Sequence, residues 1–393
     1  MENFRFHMYT DIVFGRGAED HAGGKVKEYG GTKVMLIYGG GSIKHSGLYD
    51  KVILSLREQG IPFVEWGGVQ PNPLLSHVYS GCEKAKAEGV DFLLAVGGGS
   101  VIDTAKGIAL GLAYAGDLWD IYMGRQAPVA MAPVGAIPTL AAAGSETSRS
   151  SVLVNDAQRL KRGILYDVCR PVFALMNPEW TYTMPAWQTA AGAADIFSHA
   201  FERYFYPSDT YISDKIAEGV MKTVVKYAPI ALADAQNYKA RAEIMLAGAL
   251  AHNDITGLGR KNMVLERSCH GLEVNLSGIF DTTHGAGLSV LMPAWLAYTF
   301  RRTDMSRHLQ FATEVWDVEP DFSDPEGTVL EGIRRFRAWL KGMGLPLTLT
   351  ELGLKEENIQ DIMQKNAPTG KETLGVLTTM TAQDMENIYR SVL

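Results

Sequence analysis

Residues 190–202 read Ala-Ala-Gly-Ala-Ala-Asp-Ile-Phe-Ser-His-Ala-Phe-Glu, placing Asp195 and His199 four residues apart. On a helix that spacing sets both side chains on one face, and the surrounding alanines favour a helix. His270 and His284 follow, separated from each other by fourteen residues. One carboxylate and three imidazoles can build a mononuclear divalent-metal site. The carboxylate partly neutralises the dication and the neutral rings complete the shell. A lone histidine is more often a surface or hydrogen-bonded core residue, and His7, His21, His45, His77, His252 and His308 are read that way. Cys269 adjoins His270, but adjacent helical positions diverge by about 100°, so it is not counted as a ligand.

A second kind of chemistry sits in the first half of the chain. The apolar run Lys33–Tyr38 ends in Gly39-Gly40-Gly41-Ser42, and Phe92–Val96 ends in Gly97-Gly98-Gly99-Ser100-Val-Ile-Asp103. Glycine lets the backbone approach a ligand closely, and a following helix N-terminus offers free N–H groups to an anion. Neither turn has the GxGxxG spacing or the Walker pattern, and good turn chemistry alone explains one such turn. Two in succession within an α/β pattern point to a dinucleotide. The first turn carries no acid to hold a ribose 2′-hydroxyl, whereas Ser42 and Lys44 suit a 2′-phosphate, so NADP(H) is favoured over NAD(H). A third segment, Pro138-Thr139 through Gly144-Ser145-Glu146-Thr147, places small and hydroxylated residues after another apolar run.

The elements that must position these groups follow from periodicity. Lys33–Tyr38, Ile61–Trp66 and Phe92–Val96 read as buried strands. Tyr49–Gln59, Pro73–Glu88 and a segment starting near Val101 read as the helices joining them. Alternation of this kind implies a parallel sheet in an α/β layer. Met1–Thr10 alternates polar and apolar residues and reads as a further strand. After Pro185 the pattern is helical, with Ala186–Tyr206, Asp214–Leu232 and Ala240–Ala251 as the clearest helices. The expected division is a dinucleotide-binding α/β domain over residues 1–183 and an all-helical metal-binding domain over 184–393.

Bulk properties narrow the function. With 393 residues, 46% hydrophobic and 21% charged, the chain can bury a large core, and its net charge of −7 argues against nucleic-acid or anionic-membrane partners. No apolar stretch reaches transmembrane length and no secretory leader is read at the N-terminus. Three dispersed cysteines without CxxC spacing suit a reducing compartment, so a cytoplasmic location is expected.

Together these residues resemble the iron-dependent (group III) alcohol dehydrogenase family, in particular its NADPH-dependent aldehyde reductase and butanol dehydrogenase branch. The motifs that carry the resemblance are Gly97-Gly-Gly-Ser100-x-x-Asp103-x-x-Lys106, Gly144-Ser-Glu146, Asp195-x-x-x-His199, and His270 fourteen residues before His284-Gly285. The resemblance implies a dehydroquinate synthase-like fold with a cleft between its domains. It implies metal ligation by Asp195, His199, His270 and His284. Cofactor contacts would come from Gly39, Gly40, Ser42, Gly98, Gly99, Ser100, Asp103 and Thr139, with Lys161 near the ribose. The metal would be Fe2+ or Zn2+, acting on the oxygen of a small primary alcohol or aldehyde while a hydride passes to or from the nicotinamide. A homodimer is implied as well, and an edge-strand N-terminus would suit it.

Three positions depart from the family pattern. Where relatives carry a second histidine four residues after the third ligand, this chain has Val274. A family threonine is replaced by Ala143, and the strand-end acid of NAD-preferring relatives is missing. The rival readings are an NAD-linked lactaldehyde or polyol dehydrogenase of the same fold, a lyase like the sugar-phosphate cyclases, and a non-catalytic dinucleotide- and metal-binding protein.

Overall fold

The computed structural model describes residues 1–208, 210–260, 266–366 and 373–393. By its internal packing the chain divides into two compact units. One comprises residues 7–184 and 235–253; the other comprises 1–6, 185–234 and 254–393.

The first unit is built on a parallel sheet. Its strands are β1 (Asp11–Phe14), β2 (Val34–Tyr38), β3 (Phe63–Trp66), β4 (Phe92–Gly97) and β5 (Val134–Pro138), then β6 (Ser150–Asn155), β7 (Leu160–Leu165) and β8 (Phe173–Met176). Six of them form one sheet in the order β1-β8-β5-β4-β2-β3, all paired in parallel. The other two, β6 and β7, form a separate antiparallel hairpin.

Parallel strands need crossovers. These are α1 (Ala22–Glu28), α2 (Ser42–His45), α3 (Leu48–Glu58), α4 (Leu75–Glu88), α5 (Gly99–Ala113) and α6 (Leu118–Tyr122). Helices cover both faces, so the central strands are apolar throughout, and every residue of β4 is buried. Met35, Ile37, Leu93 and Ala95 join the core containing Ile102, Ala105 and Ile108. Leu36, Leu94 and Val96 point the other way, into the core of Val52 and Leu56. The strands expected at 33–38, 61–66 and 92–96 and the three helices between and after them are all present.

The second unit is helical. It contains α7 (Ala186–Tyr204) and α8 (Tyr211–Ala233). Its later helices are α10 (Ser268–Phe280), α11 (His284–Thr299), α12 (Ser306–Glu314), α13 (Pro325–Gly342), α14 (Glu356–Asn366) and α15 (Ala382–Arg390). A two-stranded ribbon of β9 (Thr373–Leu374) and β10 (Met380–Thr381) accompanies them. Its core is aromatic: Phe197 of α7 stacks on Phe336 at 4.9 Å, and Phe201 meets Trp295 edge-on at 5.7 Å. The remaining helix, α9 (Tyr238–His252), belongs to the sheet unit. It lies so close to Gly144 that a Cβ there would fall 2.4 Å from the Gly248 carbonyl oxygen, and Gly144 has a φ of +61°. Thr147 Oγ1 also donates to Ala249 O at 2.9 Å.

The alternating segment Met1–Thr10 is not a strand; regular pairing begins only at Asp11. Its backbone bonds elsewhere, with Glu2 N donating to Gly259 O at 2.8 Å, and Met1 and Phe4 are exposed, so the alternation marks neither a ladder nor a buried face. Among the described residues no helix is long and apolar enough to cross a membrane.

Candidate metal centre and nucleotide-binding turns

The helical run around Asp195 forms as α7, and Thr189–Tyr204 of it is buried without interruption. Its small residues let neighbouring helices come close, while Phe197 and Phe201 anchor the face directed at the aromatic core. Asp195 and His199 share another face, with His199 Nε2 3.3 Å from Asp195 Oδ1. His270 enters from the first turn of α10, its ring stacked on that of His199 at 4.7 Å. Asp195, His199 and His270 each bring a ligand atom within 4.8 Å of the others. His284, the first residue of α11, completes the group: its Nε2 lies 3.7 Å from Asp195 Oδ1 and its ring 5.2 Å from that of His270.

All four residues singled out in the sequence are therefore brought together by three helices. The chemistry of the donor set fits a divalent cation. So does the orphaned His270 Nε2, which is buried and has no hydrogen-bond partner among the described residues. Cys269 is buried and free, and burial pushes its thiol well above the usual range; it is not part of the cluster.

Two acids that the sequence did not mark complete the surroundings. Glu202 is fully buried on α7 and contacts His270 twice. Glu273 is fully buried on α10 and receives His284 Nδ1. Burial alone would lower the pKa of His270, but the Glu202 carboxylate outweighs it and raises it. The only trace of these acids in the sequence is a repeated His-x-x-Glu, which nothing distinguishes from a solvated helical face.

The nucleotide-binding candidates lie on the other unit, at the carboxyl ends of neighbouring strands. In register, Tyr38 of β2 pairs with Val96 of β4, and Gly97 pairs with Pro138 of β5. Gly39 and Gly40, then Gly98 and Gly99, then Thr139 thus leave one sheet edge side by side. That edge is where α/β sheets bind ligands. Ser42 begins α2, Gly98 caps α5, and Gly99 and Ser100 form its first turn. Thr139 N donates to Gly97 O at 3.1 Å, tying the second and third turns together. A Cβ on Gly40 would meet nothing within 4 Å among the described residues, so its backbone is open to an incoming group.

Asp103 is turned inward, accepting from Ser145 Oγ at 2.7 Å and Val152 N at 3.2 Å. Lys161 of β7 donates to Asn72 Oδ1 at 3.0 Å. Beside the first turn, Glu65 of β3 accepts from the hydroxyls of Tyr38 and Tyr49 and from Lys44 Nζ, at 2.5, 2.7 and 3.1 Å. The tyrosine hydrogen bonds first of all hold Glu65 down to about 2. Spacing along the chain does not bring Glu65 here, because it arrives from the adjacent strand.

Lys106 supports the third turn from below. Fully buried on α5, its Nζ lies within 3.0 Å of Ser145 O, Ser145 Oγ, Ser148 O and Ser150 O. Lys106→Met would leave buried carbonyls without donors, and a loss of about 2 kcal/mol of stability is expected, read by denaturant unfolding. Nearby Glu146 is buried, and desolvation pushes its carboxyl up to about 7. The folded chain then binds more protons than the unfolded chain between about pH 4.5 and 7, so this group's contribution to stability falls as pH rises through that window. Glu146→Gln is expected to flatten the pH dependence of Tm between pH 5 and 7; an unchanged slope would show that Glu146 is charged in the fold throughout.

The profile of the iron-containing alcohol dehydrogenases matches residues 10–178, and that of the C-terminal region of the Fe-containing alcohol dehydrogenase family matches residues 189–393. NADH-dependent butanol dehydrogenase A of Clostridium acetobutylicum is 36% identical over 391 residues, covering 99% of each chain. The NADPH-dependent aldehyde reductase YqhD of Escherichia coli is 33% identical over 396 residues, covering 100% of each. Among solved structures, an NADH-dependent butanol dehydrogenase A from Thermotoga maritima superposes with a TM-score of 0.95 at 36% identity, covering 100% of this chain and 99% of that one.

Proposed function

This chain belongs to the iron-containing alcohol dehydrogenase family, and on that premise we propose that it interconverts small primary alcohols and aldehydes with a nicotinamide cofactor, chiefly as an NADPH-dependent aldehyde reductase. The observation that carries the reading is the convergence of Asp195, His199, His270 and His284, with a buried imidazole nitrogen left over for a cation.

In the proposed reaction Asp195, His199, His270 and His284 hold one divalent ion, Fe2+ in keeping with the family or Zn2+. When bound, the ion supplies Lewis acidity to the substrate oxygen and the nicotinamide supplies or accepts the hydride. Asp195 contributes the formal charge, and the three rings contribute neutral donors. The turns at Gly39, Gly40 and Ser42 and at Gly98, Gly99 and Ser100 bind the dinucleotide through backbone N–H groups, with Thr139 beside them, Lys161 toward the ribose, and Asp103 joining α5 to the third segment through Ser145. No acid ends β2, and Lys44 beside Ser42 offers a cation for a 2′-phosphate, which supports NADPH. Glu65 works against it, although its charge is already shared with Lys44, Tyr38 and Tyr49.

The reading also carries a cytoplasmic homodimer, supported by three free buried cysteines and by the position of β1 at one edge of the sheet. The test is initial rates on butanal with NADPH and with NADH. A higher kcat/KM with NADPH is expected, and equal or better use of NADH would overturn the cofactor preference.

Val274 lies one turn after His270 on α10 and cannot carry a proton. In this chain the proton for the new hydroxyl therefore comes through water or the cofactor ribose. Val274→His is expected to raise kcat by about 10-fold, below the usual span for a positioned general acid because the site was not built around it. A kcat that stays flat, with no new inflection in its pH profile, would show that proton delivery does not limit turnover.

A further inference from the structure

Two of the three proposed histidine ligands have their outer ring nitrogen engaged by a buried carboxylate, and each carboxylate comes from the helix that supplies the preceding ligand. On α7, Glu202 follows His199 by three residues and is 0% exposed. Its Oε1 accepts from the backbone N of His270 at 3.0 Å and its Oε2 from His270 Nδ1 at 2.7 Å. On α10, Glu273 follows His270 by three residues and is also 0% exposed. Its Oε2 receives His284 Nδ1 and the Ser277 hydroxyl, the latter at 3.2 Å.

We propose that Glu202 and Glu273 are positioning residues that hold His270 and His284 as the tautomers with Nδ1 protonated and Nε2 free to ligate. An acceptor facing Nδ1 requires a proton there, and the lone pair is then left on Nε2. The Nε2 atoms are the ones turned toward the candidate site: His270 Nε2 is buried without a hydrogen-bond partner among the described residues, and His284 Nε2 lies 3.7 Å from Asp195 Oδ1. The two contacts of Glu202 fix both the ring and the backbone of His270, so α10 is docked in register with α7 by the same residue that orients the ligand. With Asp195, the two acids place three carboxylates around a site for a single dication. Such outer partners orient the ligands and make them better donors.

This inference rests on the metal reading, and the experiment separates the two. Co2+ is titrated into wild type, H199A, E202Q and E273Q, following its visible absorption, while 15N-labelled histidine reports the tautomers. A glutamine can turn its amide N–H toward Nδ1, favouring the opposite tautomer with Nε2 protonated. Each glutamine variant is expected to bind Co2+ about 10–100-fold more weakly than wild type. The affected ring, His270 in E202Q and His284 in E273Q, should lose its Nδ1–H signature, while both variants unfold cooperatively. Binding within threefold of wild type in both variants would overturn the proposal. So would weakened binding with both tautomers unchanged, since that is what a purely structural role gives. Failure of wild type to bind Co2+, or equal binding by H199A, would instead bring down the metal reading itself.

Discussion

His199→Ala is expected to abolish tight metal binding and to lower aldehyde reduction by at least about 10³-fold. That factor corresponds to losing about 4 kcal/mol of charge stabilisation on the substrate oxygen. His199 is central to the cluster: its Nε2 is 3.3 Å from Asp195 and its ring stacks on His270. Removing it leaves at most three ligands, one of them the only formal charge in the first ring of donors. The helix itself should survive, because alanine is a strong helix former and α7 is anchored by Phe197 and Phe201 on its other face. Metal analysis by mass spectrometry, NADPH oxidation and a Tm measured on the same preparation check this. Full turnover at full metal content would remove His199 from the site.

The second large effect is expected from a residue with no functional group. Gly285 follows His284 at the start of α11, and a Cβ there would fall 1.9 Å from the carbonyl oxygen of Ala191 on α7 and 2.6 Å from its carbonyl carbon. Ala191 lies one turn before Asp195, so the two helices touch backbone to backbone next to the ligands they carry. A methyl group cannot be absorbed by a rotamer change when the atoms it meets are main chain. Gly285→Ala is therefore expected to destabilise the chain by more than about 3 kcal/mol, at or beyond the usual range for overpacking. It should also weaken metal binding by carrying His284 away from Asp195. Gly219→Ala is the control. It sits on α8 with nothing among the described residues within 4 Å of the added Cβ, and should be neutral or stabilising by up to about 1 kcal/mol. Equal Tm values for the two alanine variants would contradict the close helix contact.

Much of this was legible in the residues because the relevant physics is local. Helix α7 announces itself by composition and by the i, i+4 pair, and β2 and β4 by apolar runs ending in glycine. The β6–β7 hairpin was not legible. Its connection, 156–159, contains no glycine, and Arg159 takes the left-handed conformation with a φ of +51°. Lys161, which lies on that hairpin, entered only through family resemblance.

Glu202 and Glu273 show a different limit. Each is one acid among 44, and only tertiary packing determines which of them are fully buried against an imidazole. Glu65 reaches the first glycine turn from a neighbouring strand, a relation that spacing along the chain does not encode. The same holds for residues 235–253, whose helical periodicity carries no mark of the unit they join; close approach at Gly144 is what fixes them to the sheet unit.

The most direct test of the central claim is metal content measured alongside butanal-dependent NADPH oxidation, before chelation, after chelation and after adding back Fe2+ or Zn2+. About one ion per chain is expected from a single four-ligand site, with activity lost on its removal and restored on its return. Undiminished turnover in protein shown to be metal-free would contradict it.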